Sequence, residues 1–549
     1  MIETRIVSPL EKVFLDAAPA AAPPLFAGFQ NEHLFLQLAY TGSNDMHRKP
    51  VRLSVDSPLA ARISVRAVKN VPVLLPTLAD ADDNYLRKTP GLYPDLLRAP
   101  RGDNPNGESV LLSGLWQSYY VEYAPEEPAP AGDYPLALRL CAEGGEALAE
   151  ERVTLRILPG ALPAQTLKRT QWFHADCLAD YYGVPVFSEE HWRIVENFMR
   201  TAARRGINMI LTPLFTPPLD TAVEAERTTV QLVEVEKTDE GYRFGFARLR
   251  RWVETARRAG MRYFEMSHLF TQWGALHAPK VVDARGKRLF GWETDARGAS
   301  YAAFLQAFLP ALMREVHMLG IFEQTYFHIS DEPRPETLEQ YRAVRALVAP
   351  SVEGRPIMDA LSDFSLYQGG AVTHPIPALN HLQPFLDARA PDLWTYYCVG
   401  QYKDVSNQFI AMPAARTRML GVQLYKYRIQ GFLQWGYNFY NARLSAYRID
   451  PYASTDCDGA YPAGDPFAVY PGADGQPEES LRLLLLHMAM QDLRALQKLE
   501  ALSGRDAVLA LIEKAAGGPL TLTEYPREAA FFDRLRAAVN AAILQTERK

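Results

Sequence analysis

The chain has 549 residues, 48% hydrophobic and 22% charged, so two or three domains with buried cores are expected. Its 58 Lys and Arg against 64 Asp and Glu leave a formal charge of −6. With no basic tract, that balance argues against nucleic acid or an anionic membrane surface as partner, and no apolar run reaches the roughly 18 residues of a membrane span.

The N-terminus, Met1-Ile2-Glu3-Thr4-Arg5-Ile6-Val7, has neither an apolar core nor a small-residue cleavage site. The four cysteines, Cys141, Cys177, Cys398 and Cys457, lie far apart with no CxxC spacing, as free thiols in a reducing compartment do. A cytoplasmic protein is expected, or a secreted one if a leader was trimmed.

Residues 1–160 show short alternating runs, such as Leu34–Tyr40, Val51–Val55, Ala61–Val65, Gln117–Tyr123, Pro135–Leu140 and Val153–Leu158. Period-two patterning punctuated by proline and glycine predicts an antiparallel β-sandwich. Pro159-Gly160-Ala161-Leu162-Pro163 reads as the linker.

Over 165–475 the pattern becomes strand, loop, amphipathic helix, strand. Strands are predicted at Thr170–His174, Asn208–Leu214, Arg262–His268, Gln324–Ser330, Pro356–Leu361, Thr373–Leu379, Leu393–Val399 and Gly431–Tyr437. Between them, Ser188 before Glu189-Glu190 reads as a helix cap, and Gly260 and Gly320 as helix ends. Strands with helical crossovers place the chain in the α/β class, as a (β/α)8 barrel in preference to a doubly wound sheet. Residues 476–549, with Ser480–Leu499 rich in leucine, read as helices packed on the barrel.

The chemistry is expected at Tyr326-Phe327-His328-Ile329-Ser330-Asp331-Glu332-Pro333. Read as a strand, Phe327 and Ile329 share one face and His328 and Ser330 the other, and Pro333 stops the ladder. Asp331 and Glu332 therefore fall at the C-terminal end of the fourth strand, where such barrels do chemistry. The same Asp-Glu-Pro is also an ordinary helix entry. As catalysts, adjacent carboxylates cannot easily flank a sugar ring from opposite faces, as a protein nucleophile and an acid do. They suit cleavage in which the sugar's own 2-acetamido oxygen attacks, Asp331 orienting the acetamide and Glu332 serving as general acid/base.

Trp394, Tyr396, Tyr397, Trp435, Tyr437 and Asn438 end two late strands and are expected to offer aromatic faces and an amide to a sugar ring. Core packing is the alternative for each. His174, Asp176, Glu265, His268, Asp359 and Asp363 lie near strand C-termini, and His328 sits on the catalytic strand. Hydrogen bonds to sugar hydroxyls are expected from His174, Glu265, His268, His328 and Asp363. Their spacing matches no metal motif, so no metal is expected. Without a P-loop, GxGxxG or GxSxG, no nucleotide cofactor and no α/β-hydrolase nucleophile are expected. Gln272-Trp273 and Trp292, in an insertion after the third strand, either wall the pocket or pack on the barrel.

The stretch Phe327–Pro333, with Thr170–Asp176, Phe264–Phe270, Trp394–Cys398, Gly431–Asn438 and Tyr470–Gly472, resembles glycoside hydrolase family 123. Known members of that family are β-N-acetylgalactosaminidases built from an N-terminal β-sandwich and a (β/α)8 barrel. The resemblance covers nearly all of 165–500. It implies that Asp331 positions an acetamido group, that Glu332 is the acid/base, and that the partner is a carbohydrate or glycoconjugate. Two other functions stand beside this one: a glycosidase for sugars lacking the acetamido group, with Glu265 or Asp359 as nucleophile, and a non-catalytic carbohydrate-binding protein. Nothing in the sequence speaks to oligomeric state.

Overall fold

The computed structural model describes residues 2–99 and 109–548. Its N-terminal strands form two five-stranded sheets. One orders Ile2–Val7, Leu34–Gly42, Gln117–Tyr123, Ile63–Val73 and Gly91–Arg98; the other orders Leu25–Phe29, Ala147–Leu158, Gly132–Ala142, Pro50–Asp56 and Ser109–Val110. Alternation decides which face is buried. Leu136, Leu138 and Leu140 of one sheet meet Leu36, Leu38, Tyr119 and Val121 of the other in a shared core. The pairings are antiparallel except one, in which Leu25–Phe29 runs parallel to Ala147–Leu158.

Short parallel strands follow: β1 (Lys168–Gln171), β2 (Met209–Thr212), β3 (Tyr263–Met266), β4 (Thr325–Phe327), β5 (Met358–Leu361), β6 (His374–Pro377), β7 (Trp394–Tyr396) and β8 (Gly431–Gln434). Six of them make one curled sheet in the order β4-β3-β2-β1-β8-β7, and β5 pairs with β6. Single parallel bridges, Phe327 to Ile357 and Ala378 to Tyr396, join the pair to both edges of the six-stranded sheet. Side chains alternate here too. Met209, Leu211, Tyr326, Met358, Ala360, Trp394, Tyr396 and Leu433 fill the space the sheets enclose, while Phe264, Phe327 and Phe432 face the helices.

Helices cover the outer face. Ser188 caps Glu189–Arg204 by accepting from the His191 N–H, and Gly260 closes Ala247–Ala259 at φ 103°, a conformation costly to residues with a Cβ. The C-terminal helix Leu481–Ser503 is buried along most of its length because it lies against both the helix Ala414–Lys426 and the first sheets. Gly421 lets it approach: a Cβ there would sit 2.0 Å from the Ala489 carbonyl oxygen. On its other side Arg482 donates to both oxygens of Asp95, which belongs to Gly91–Arg98.

Arg205, just past Glu189–Arg204, seals the same junction. It pairs with Glu122 at 2.5 Å and Glu479 at 2.6 Å, and Arg66 bridges those two carboxylates as well. Burial alone would raise both acids, but the guanidinium charges hold them well below the usual carboxylate range.

Candidate active site

β4 ends its ladder at Phe327, earlier than the alternating pattern predicts, because the chain beyond it bonds to the Asp359 side chain and to the loop after β3. The Ile329 N–H donates to the Asp359 carboxylate at 3.2 Å, and the Ser330 hydroxyl donates to the Thr271 carbonyl at 2.7 Å. Phe327 and Ile329 face the helices, while His328 faces inward. At Glu332 the backbone turns left-handed, with φ 45°. That conformation is strained for a residue with a side chain, and it breaks the strand alternation. Asp331 and Glu332 consequently border the same cavity. The loop after β3 braces them: the Trp273 N–H donates to the Asp331 carbonyl at 2.9 Å, with Trp273 itself at φ 58°.

Beneath the pair lies a sealed ionic layer. His328 is hydrogen-bonded through Nε2 to Glu265 at 2.6 Å and through Nδ1 to Asp359 at 3.1 Å. Glu265 also accepts from the Thr170 hydroxyl at 2.5 Å and the Trp172 indole at 2.8 Å, and Asp359 accepts from the Tyr341 hydroxyl at 2.5 Å. Burial opposes a charge on His328, but the two carboxylates outweigh it and push its pKa up to about 10, so it is an imidazolium at neutral pH. His268 stacks on it with ring centres 4.4 Å apart, and burial together with that neighbouring charge keeps His268 neutral.

Above this layer is a cavity of about 290 Å³. Its walls include Trp172, Asp220, Trp273, Asp331, Glu332, Tyr396, Cys398, Trp435 and Tyr461, with Arg334 and Arg443 among the lining residues. The Tyr396 hydroxyl donates to Glu332 Oε1 at 2.6 Å. Burial, and secondarily the Glu332 charge, raises the Asp331 pKa well above the usual carboxylate value. Asp331 therefore holds a proton more tightly than an ordinary carboxylate. The Tyr396 phenol is held protonated by burial and by Glu332.

The expected site residues separate into groups. Asp331, Glu332, Tyr396 and Trp435 reach the cavity. Trp435 is fixed there by its indole N–H on Asp465 at 2.8 Å. Glu265, His268 and His328 lie in the sealed layer below, with Asp359. Trp394 sits at the opposite end of the strands: it begins β7, and its ring lies over Gly431, where a Cβ would come within 2.0 Å of the indole. Tyr437 packs on the outer side, its hydroxyl donating to the Phe198 carbonyl at 3.0 Å and its ring stacked on Phe173. Tyr397 also lies outside, against Phe432.

His174 and Asn438 hold each other through the main chain, and His174 takes Arg227 at 3.0 Å and the Trp435 carbonyl at 3.0 Å on its ring nitrogens. Asp176 is clamped by the same Arg227. Asp363 caps the short helix Phe364–Gln368. Trp292 bonds the Ala225 carbonyl and packs away from the Asp331-Glu332 pair, whereas Gln272 and Trp273 line the cavity.

Asp220, Tyr461, Arg334 and Arg443 are not singled out by sequence pattern. Asp220 follows Pro217-Pro218-Leu219 in the loop after β2, so an acid beyond a strand end was a usable signal. Tyr461 and Arg443 come from the irregular segment after β8, where no periodicity places a side chain.

Nitrogens of His268 and His328 and an oxygen of Asp359 all lie within 4.8 Å of one another. His328, however, spends both nitrogens on carboxylates and keeps its proton, so these donors fit a proton-bound layer and not a metal centre.

Paired carboxylates in unlike surroundings, walled by aromatic faces, mark a hydrolase working by acid–base chemistry on a polar ring. Comparison with known proteins specifies it. Residues 172–499 match the model of the glycoside hydrolase 123 catalytic domain, and the chain belongs to glycoside hydrolase family 123. It is a glycoside hydrolase, and its substrates are carbohydrates. Among solved structures, a family 123 glycoside hydrolase from Clostridium perfringens, studied for glycolipid glycan hydrolysis, is 14% identical with a TM-score of 0.73. The match covers 100% of this chain and 98% of that one. A β-glucuronidase from Parabacteroides merdae is 10% identical with a TM-score of 0.30, covering 88% of this chain and 54% of its own. No curated protein sequence matches the chain. No helix among the described residues is long and apolar enough to cross a membrane.

Proposed function

We propose that this enzyme is a retaining exo-glycoside hydrolase that releases β-linked N-acetylgalactosamine, or a related 2-acetamido sugar, by substrate-assisted catalysis. The observation that carries the reading is the placement of Asp331 and Glu332 side by side on one cavity, with Glu265 and Asp359 sealed beneath it and already hydrogen-bonded. The acetamido oxygen of the bound sugar attacks the anomeric carbon while Glu332 passes its proton to the leaving oxygen. Asp331 accepts the acetamide N–H and balances the positive charge that develops there. Glu332, now a base, takes a proton from water as the oxazoline opens. Two inversions at one carbon return the original anomer. Tyr396 orients Glu332, and Trp435 offers its face to the ring.

The scaffold belongs to the same proposal. The β4–β5 and β6–β7 bridges support a single (β/α)8 barrel over 165–475, carrying a β-sandwich over 1–160 and helices over 476–549. A cavity at the small end of ligand sites, which run from about 300 to 1,000 Å³, favours exo action. A second reading, on sugars lacking the acetamido group, needs a protein nucleophile. Asp220 is on the wall, but Tyr461 and the Leu444 N–H occupy its two oxygens.

A panel of aryl glycosides, with N-acetylgalactosamine and N-acetylglucosamine in both anomers and a glycolipid glycan, tests the assignment. Turnover confined to β-linked 2-acetamido sugars, strong inhibition by a thiazoline analogue, and loss of activity in Glu332→Gln are expected. Equal turnover of sugars without the acetamido group, or indifference to the thiazoline, rejects substrate assistance.

A further inference from the structure

Arg334 and Arg443 line the same cavity as the catalytic pair, and both are exposed. Most arginines near a buried site are spent on carboxylates, as Arg205, Arg227 and Arg482 are here. Among the described residues, neither Arg334 nor Arg443 closes an ion pair. Arg443 is nonetheless placed with care. Leu444 and Ser445 after it are both left-handed, at φ 58° and 52°, and are pinned to Asp220 by the Leu444 N–H at 3.0 Å and the Ser445 hydroxyl at 2.7 Å. Consecutive left-handed residues with side chains are costly, so the loop is held in this shape by its contacts with Asp220. Arg334 is fixed from the other direction, two residues after Glu332 and directly before Pro335, which opens a helical turn. Trp273, at 40% exposure an unusually open indole, stands on the cavity between the braced Asp331 and solvent.

A guanidinium N–H can donate to a neutral sugar's hydroxyl, but a neutral sugar has no net charge for two such groups to balance. Two unspent guanidiniums at the mouth of a cavity that already holds Asp220, Asp331 and Glu332 do two things. They offset the acids for an incoming anion, and they offer bidentate donors matched to a carboxylate or a sulfate. Resting on the glycosidase reading above, we propose that the natural substrate is an acidic glycan. Arg334 and Arg443 recognise a carboxylate or sulfate carried on the released sugar or on the one next to it.

Binding is measured by calorimetry on Glu332→Gln protein, which makes the outcome independent of turnover. The probes are a neutral 2-acetamido monosaccharide, its 6-O-sulfated form, and a disaccharide in which the same sugar is linked to a uronic acid. At least one acidic probe is expected to bind about tenfold or more tightly than the neutral sugar, with the advantage shrinking at high salt. Adding Arg334→Gln and Arg443→Gln together should abolish that preference, while melting temperature confirms that these exposed changes leave the fold intact. Preference for the sulfated probe places the anion on the released sugar, and preference for the uronic acid places it on the neighbour. Equal binding of neutral and acidic probes, or a preference that survives the double substitution, overturns the proposal. Loss of turnover on all 2-acetamido glycosides in the wild-type enzyme would instead reject the reaction reading, leaving the arginine-dependent binding as a separate result.

Discussion

Two buried ionic clusters do opposite things with the same kinds of groups. At the junction of the first sheets with the rest of the chain, Glu122 and Glu479 face Arg66, Arg204 and Arg205, two anions against three permanent cations, with the His33 ring also on Glu122. Both acids are held far below their usual range, and protonation plays no part near neutral pH. Around the active site, Glu265, Asp359, Asp331 and Glu332 have His328 as the cation among them. Burial, with Glu332 second, raises Asp331 there, and Asp359 and Glu265 raise His328 against its own burial. Arginine fixes charge; carboxylates that outnumber a single histidine leave protons in play. The first arrangement suits a structural joint, and the second suits a site that must move a proton.

The contrast can be broken most sharply in the site. Glu332→Gln should lower kcat/KM on glycosides with poor leaving groups by about 10²–10⁴-fold, the usual share of general acid–base catalysis, with little change in melting temperature. Near-normal activity on such substrates rejects Glu332 as the acid. At the junction, Arg205→Met should cost about 3 kcal/mol of unfolding free energy, because it leaves two buried carboxylates under-compensated with Arg66 still between them. Denaturant titration measures this, and a loss below about 1 kcal/mol would mean water enters to rescue them.

Removing the cation under the site tests the proton economy itself. His328 lowers the Asp331 pKa, so His328→Gln should raise it further and carry the acid limb of the kcat/KM profile to higher pH. A limb that stays put or moves down contradicts the layered electrostatics.

The smallest effects are on stability against pH, and they separate the clusters by direction. His328 has a folded pKa of about 10 against an ordinary 6.5, so its contribution is complete below about 6.5 and is lost as pH rises towards 10. Glu479 is depressed below its ordinary 4.5, so its contribution is present above that value and is lost as pH falls. Melting curves of His328→Gln and Glu479→Gln against wild type should therefore converge at alkaline and at acid pH respectively; convergence at the opposite ends would invert the assignment.

Much of this was legible in the chain. Seven of the eight parallel strands fall within the predicted runs, and β1 begins two residues before its own, because period-two patterns bounded by glycine, proline and capping residues report local geometry directly. The Asp331-Glu332 pair was visible as two acids where an apolar run meets a proline. Strand ends were read too long: beyond Phe327 the extended chain bonds to Asp359 and Thr271 and leaves the ladder. Trp394 and Tyr437, neighbours in pattern to Tyr396 and Trp435, lie away from the cavity. One faces inward at the far end, and the other faces the helices. His174 and Asn438 looked polar and well placed, yet the Asn438 amide is spent on the His174 main chain and the His174 ring on Arg227 and the Trp435 carbonyl.

The sequence by itself determined where most of the elements run and which two acids to propose as the catalytic pair, since both follow from local pattern. Only the tertiary structure decided what surrounds those acids. The carboxylates of Glu265 and Asp359 on His328, the Tyr396 hydroxyl on Glu332 and Arg443 at the mouth join residues far apart in the chain. Charge and hydrogen bonding act through space over a few ångströms, and no periodicity in sequence records which distant side chains fall within that reach.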